Sequence, residues 1–256
     1  MRTEIRIFFT ALMFYTRIPC PSWVDHSEEY INKATRYFPL IGWIVGGGAA
    51  LTIYACSFMF PAPICVVLSL VASVLLTGAF HEDGFADVCD GFGGGWSKTQ
   101  ILSIMKDSRV GTYAVAGLVL LFALKIFTLV ALVQLDLWFC LKALVLAHVL
   151  SRWSAATIIY THDYSREDGT SKIKPIAKKL TASNLLIGSI WVIPCLIWFQ
   201  SWWIFLVFIP IYAMKMYLAR YFQKWIDGYT GDCLGATQQI NEMVTLLFCL
   251  GLWKFI

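Results

Sequence analysis

The chain has 256 residues, 59% of them hydrophobic and 14% charged, with a formal net charge of +4 and a mean hydropathy of +0.68. Soluble domains carry about a quarter charged residues, so this composition excludes an ordinary water-soluble protein, and it also excludes a disordered, collagenous or disulfide-scaffold chain. The small positive excess excludes a nucleic-acid footprint, and the length suits one membrane-embedded domain over 1–256.

The amino-terminal stretch MRTEIRIFFTALMFYTRIPCP has basic residues and a short apolar run, but no small-residue cleavage site of a secretory signal. Residues 4–16 are too short to cross a bilayer and predict an interfacial or re-entrant helix. Longer apolar runs predict spans near 37–60, 61–80, 113–134, 138–160, 182–199 and 202–222, with a shorter one near 240–256. The expected fold is therefore all-α, a polytopic transmembrane helical bundle of about seven spans. The eight cysteines show no two- or three-residue spacing, so neither a zinc knuckle nor a haem attachment is expected, and no disulfides.

The connections are asymmetric. Residues 1–36, 81–112, 161–181 and 223–239 form long polar stretches, whereas those near 60–61, 135–137 and 200–201 are very short. The short ones contain no Lys or Arg, and Asp136 is their only charge. The positive-inside rule places the long connections in the cytoplasm. Polar chemistry gathered on one face points to an enzyme at the cytoplasmic surface. A transporter would spread its polar residues through the span midplanes.

The segment from Gly78 to Thr112, GAFHEDGFADVCDGFGGGWSKTQILSIMKDSRVGT, holds five acids: Glu82, Asp83, Asp87, Asp90 and Asp107. If helix continues past residue 80, Asp83, Asp87 and Asp90 fall at i, i+4 and i+7 on one stripe, with Gly84, Gly91 and Gly94 beside it. Like charges at that spacing repel unless a divalent cation sits between them. All-oxygen ligands suit Mg²⁺ or Mn²⁺ bridging carboxylates to substrate phosphates, which makes Glu82, Asp83, Asp87 and Asp90 the candidate metal ligands. Glycines there let backbone or a bulky ligand approach closely. Lys106 and Arg109 flank Asp107 as cations for phosphate oxygens. A solvated acidic loop is the bland alternative.

The later polar positions are read the same way. Arg152 near a span end is either a snorkelling residue or a phosphate contact. In the basic stretch 161–179, Lys172 and Lys174 are candidate phosphate contacts, against plain lipid-headgroup contacts for such residues. Asp232 lies among glycines ahead of Asn241 and Glu242 at the mouth of the last span, and a second set of metal or substrate contacts is expected there. Lys125 and His148 fall inside spans and are left out of the site, as a snorkelling lysine and a core histidine.

The segments HEDGFADVCDGFGGG and IMKDSRVGT, together with YTRIP (residues 15–19), RYFPLIGWIVG (residues 36–46), SRW (residues 151–153) and GYTGDCLGATQQINE (residues 228–242), resemble the cobalamin synthase family along the whole chain. That resemblance implies an adenosylcobinamide-GDP ribazoletransferase. Its small-molecule substrates would be adenosylcobinamide-GDP and α-ribazole or its 5′-phosphate, its products GMP and adenosylcobalamin or its phosphate, and its cofactor Mg²⁺. Membrane lipid is an expected partner, nucleic acid is not, and the oligomeric state is left open, a homo-oligomer included. Asp83, Asp87, Lys106, Asp107 and Arg109 become the candidate catalytic residues, with Asp107 or a metal-bound oxygen as acceptor of the hydroxyl proton. Gly91, Gly94, Ser108, Arg152, Lys172, Lys174 and Asp232 become candidate substrate contacts. Asp87-Val88-Cys89-Asp90-Gly91 also reproduces the DxxDG opening of CDP-alcohol phosphotransferases, but Gly94 and Gly95 stand where that motif has Ala-Arg, and no GxxxDxxxD follows. A lipid enzyme of that kind and a divalent-cation transporter are the alternative readings.

Overall fold

A computed structural model describes residues 2–24, 27–165 and 179–255. The described residues are helical apart from turns and one isolated bridge between Tyr164 and Tyr229. In chain order the α-helices are α1 (Arg2–Tyr15), α2 (Glu28–Ala34), α3 (Phe38–Cys56), α4 (Ala62–Thr77), α5 (Phe80–Gly94) and α6 (Lys98–Ile104). They continue as α7 (Thr112–Leu135), α8 (Leu137–Thr161), α9 (Ala182–Ile190), α10 (Ile193–Trp198), α11 (Phe208–Ile226) and α12 (Gly231–Leu252).

Every expected span falls on helix. Four helical stretches are long and apolar enough to cross a membrane: Glu28–Cys56, Thr112–Leu135, Leu137–Thr161 and Trp202–Ile226. The pair α4 and α5 makes a fifth if counted as one broken span. The expected span 182–199 is instead two short helices, α9 and α10, with Pro194 at the start of the second. Its ring lacks the N–H that a continuous helix would need there. The stretches 1–36, 81–112 and 223–239, read as polar connections, contain α1 and α2, then α5 and α6, then the end of α11 and the start of α12.

α8 is the central post. It is buried along most of its length and packs chiefly on α3 and α12, as a helix apolar on all sides must. Gly42 and Gly46 of α3 allow that contact: a Cβ on Gly42 would lie 2.6 Å from the His148 carbonyl oxygen. Small residues one turn apart let membrane helices approach this closely. α7, by contrast, turns Val119, Leu120, Leu124 and Phe127 outward, an apolar surface suited to lipid. Asp136, the lone charge of the short connections, caps α8 by accepting from the Phe139 N–H at 2.7 Å.

The acidic segment does not continue the preceding helix. Gly78 and Ala79 both take left-handed backbone angles (φ +67° and +58°), and α5 leaves α4 at 91°. The Arg17 side chain lies against Gly78, and its backbone N–H donates to the Leu76 carbonyl at 2.7 Å. The segment at residues 15–19 thus seats the elbow that aims α5.

Candidate functional site

The stripe predicted from spacing exists, but within α5 alone. Asp83, Asp87 and Asp90 share a face of one helix, and the four nearby acids divide by surroundings. Asp83 is exposed and Asp87 half-buried. Both oxygens of Asp90 accept backbone N–H groups from the start of α7, Gly111 at 2.6 Å and Ala114 at 2.8 Å. These are two of the donors that a helix start leaves without an internal partner, so Asp90 acts as a cap supplied from another helix. Glu82 is buried. Its Oε1 accepts from Gln239 Nε2 at 3.0 Å, and its Oε2 has no hydrogen-bond partner.

Glycines set the approach of neighbouring helices to this one. A Cβ on Gly84 would lie 3.0 Å from the Asp232 Cα, and a Cβ on Gly235 would lie 3.1 Å from the His81 carbonyl oxygen. α5 and α12 therefore cross backbone to backbone, which brings Asp232 in the first turn of α12 beside the acidic stripe. Gly91, a candidate substrate contact, packs closely on α6: a Cβ there would meet Met105 Cγ at 2.5 Å. Gly94 is exposed.

Beyond α6, Asp107 grips Arg109 through both carboxylate oxygens, at 2.6 Å from Oδ2 to a terminal guanidinium nitrogen and 3.0 Å from Oδ1 to Nε. The guanidinium hydrogen bonds, helped by the Arg109 backbone N–H, hold the Asp107 carboxyl down at about 2, and the carboxylate raises the Arg109 value in return. A carboxylate held that low is a weak proton acceptor near neutrality. Lys106 and Ser108 are exposed beside the pair. Lys172 and Lys174 lie outside the described residues.

The largest departure from the sequence reading lies inside the bundle. Asn241 and Glu242 do not stand at the mouth of the last span. They are buried about three turns into α12, whose N-cap is Thr230. Lys125 does not snorkel: it is 2% exposed and donates to Glu242 Oε1 and Gln239 Oε1, both at 2.6 Å. His148 Nδ1 lies 3.2 Å from Glu242 Oε2. Arg152 is buried, donates to the His148 carbonyl at 3.0 Å and lies over the Phe38 ring, so it is no snorkelling residue either. Phe38 in turn stacks on Tyr15 and on His81. Gln238 and Gln239, which the sequence reading did not single out, complete the network. Two adjacent amides just ahead of Asn241 and Glu242, in a helix that runs on into an apolar half, were the signal that could have found them.

The oxygen-only donors Asp83 and Asp87, with Asp232 across Gly84, fit a hard cation in chemical type. Among the described residues no three His, Cys, Asp or Glu side chains come together as a ready-made metal cage. That is compatible with Mg²⁺, which keeps water and takes one or two carboxylates plus substrate phosphates.

The fold and this site define a polytopic helical membrane protein, with an acidic helix set against a buried polar core. The chain belongs to the cobalamin-5-phosphate synthase family, whose profile matches residues 7–250. It is 45% identical over 255 residues to the adenosylcobinamide-GDP ribazoletransferase of Shewanella amazonensis, covering 99% of this chain and 98% of the relative. It is 44% identical over 247 residues to the enzyme of the same name from Shewanella frigidimarina, covering 96% and 95% of the two chains. The namesake from Leptospira interrogans is 43% identical over 258 residues, covering 98% and 96%. No solved structure matches the chain.

Proposed function

We propose that this chain is an adenosylcobinamide-GDP ribazoletransferase working at the cytoplasmic face of a bacterial inner membrane, with Mg²⁺ as cofactor. The observation that carries the reading is the near-full-length likeness to ribazoletransferases, and the acidic face of α5 is where we locate the reaction. A hydroxyl of α-ribazole, or of its 5′-phosphate, attacks the phosphorus that bears the cobinamide arm. The bond from that phosphorus to the bridging oxygen breaks, and GMP leaves with the bridging oxygen. The hydroxyl proton passes to a carboxylate on the outer face of α5, Asp83 or Asp87. Asp107, held ionised by Arg109, serves to hold that guanidinium.

Lys106 and Arg109 meet the charge that gathers on the leaving phosphate, with Lys172 and Lys174 as further phosphate contacts. Asp83 and Asp87, with Asp232 across Gly84, are the residues that would hold Mg²⁺, which would supply charge neutralisation for the diphosphate. Ser108 and Gly94 border the same face. The outward apolar faces of α7 and α11 contact lipid.

The test is turnover by the purified protein in detergent, supplied with adenosylcobinamide-GDP, α-ribazole 5′-phosphate and Mg²⁺. Equimolar GMP and cobalamin 5′-phosphate, both abolished by EDTA, are expected. A folded protein that makes no corrinoid product, yet releases CMP from a CDP-alcohol, would overturn the reading.

A further inference from the structure

The buried network can be read in only one direction. An ammonium group only donates, so the atom of Gln239 that faces Lys125 at 2.6 Å must be its oxygen. That leaves the Gln239 amide nitrogen to donate to Glu82 Oε1 at 3.0 Å and to Gln238 Oε1 at 2.9 Å. The same logic holds at the next amide. Gln238 spends its two N–H groups on Glu242 Oε2 at 2.6 Å and Ser151 Oγ at 3.1 Å. Glu242 Oε1 closes the circuit on Lys125 at 2.6 Å. No amide in the chain can flip without setting N–H against ammonium or oxygen against carboxylate. At its far end the circuit holds one oxygen of Glu82, while the other, also buried, has no partner.

We infer that Lys125 and Glu242 are positioning residues for the reaction. Their ion pair sets the orientation of Gln239, and Gln239 holds Glu82 by one oxygen, which keeps the other available at the base of the acidic helix. The inference deepens the reading of α5 given above and rests on it for the use of that oxygen. It also gives a reason for two charges to lie inside the bundle, where an ion pair by itself is weak support for a fold and is often replaceable.

Three variants test this: Gln239→Leu, the double variant Lys125→Met/Glu242→Gln, and Glu82→Gln. The double variant removes both charges together, while an amide at position 242 still accepts from Gln238. Expected for Gln239→Leu and the double variant, assayed below their thermal midpoints so that both are folded, are a little-changed KM for adenosylcobinamide-GDP and kcat lower on the order of a hundredfold, the size of effect that a small misplacement of a reacting group produces. The infrared carboxylate band of Glu82, isolated by difference against Glu82→Gln, is expected to shift in both. A residue that only supported the fold would move the midpoint and leave kcat, KM and the Glu82 band of the folded protein unchanged. Native kcat with an unmoved band in the double variant or in Gln239→Leu would overturn the relay. Native turnover by Glu82→Gln, with the band still shifting in the other two, would leave the relay standing and remove Glu82 from the reaction.

Discussion

Four carboxylates lie within nine residues of α5, yet their hydrogen-bond partners set them apart. Glu82 and Asp90 are built into the bundle: one is held by Gln239 of α12, and the other caps α7 through both oxygens. Asp83 is exposed and Asp87 half-buried on the side that adjoins Asp232. The lesson is that an acidic cluster is not a single functional unit. Partner geometry divides it: Asp90 is committed to backbone donors of α7 and Glu82 to the Gln239 amide. The same contrast separates the two ion pairs near the site. Lys125–Glu242 is closed off from solvent, whereas Asp107–Arg109 lies at the surface, where charge pairs contribute little to stability.

The largest effect expected from breaking this contrast comes from the buried pair. Glu242→Leu alone leaves Lys125 buried without a counter-charge and takes the acceptor from Gln238, so a loss of about 3–5 kcal/mol is expected. A thermal midpoint in detergent far below that of the native protein would show it, and an unchanged midpoint would contradict the burial argument.

The smallest effect comes from the surface pair. Asp107 is lowered from an ordinary 3.8 to about 2, so what it contributes is fully present above 3.8 and is lost only as pH falls through about 2. Asp107→Asn should therefore leave the shape of the pH–rate profile near neutrality unchanged and weaken use of the GDP-bearing substrate only modestly. A displaced acidic limb in that variant would restore Asp107 as the proton acceptor.

Much of this was legible before any coordinates. The helical class, the helices that carry the apolar runs and the i, i+4, i+7 stripe follow from apolar run length and helical period, which are local properties, whereas four or five of the about seven expected spans are long and apolar enough to cross a membrane among the described residues. The elbow at Gly78 and Ala79 was not legible, because Ala seldom takes a positive φ and the Arg17 segment that seats it comes from far away in the chain. The neighbour of Gly91 was hidden for a related reason. A glycine announces a close approach but does not say by what, and here the neighbour is Met105 of α6. Taken singly, Lys125 reads as a snorkelling residue, His148 as a core residue and Arg152 as a snorkelling residue or a phosphate contact. Their significance lies in Glu242, which is more than a hundred residues from Lys125 in sequence and 2.6 Å away in space. Asp90 looked identical to Asp87 until the start of α7 arrived to claim its oxygens.

The central claim, that Asp87 carries the reaction while Asp90 holds the helix, is tested most directly by comparing Asp87→Asn with Asp90→Asn. Turnover and thermal midpoint would be measured on the same purified preparations. The account predicts that Asp87→Asn keeps its midpoint and loses turnover by on the order of a hundredfold or more. It predicts that Asp90→Asn loses about 1–2 kcal/mol of stability with the weakened cap and retains most of its turnover once folded. Near-native turnover by folded Asp87→Asn would contradict the account.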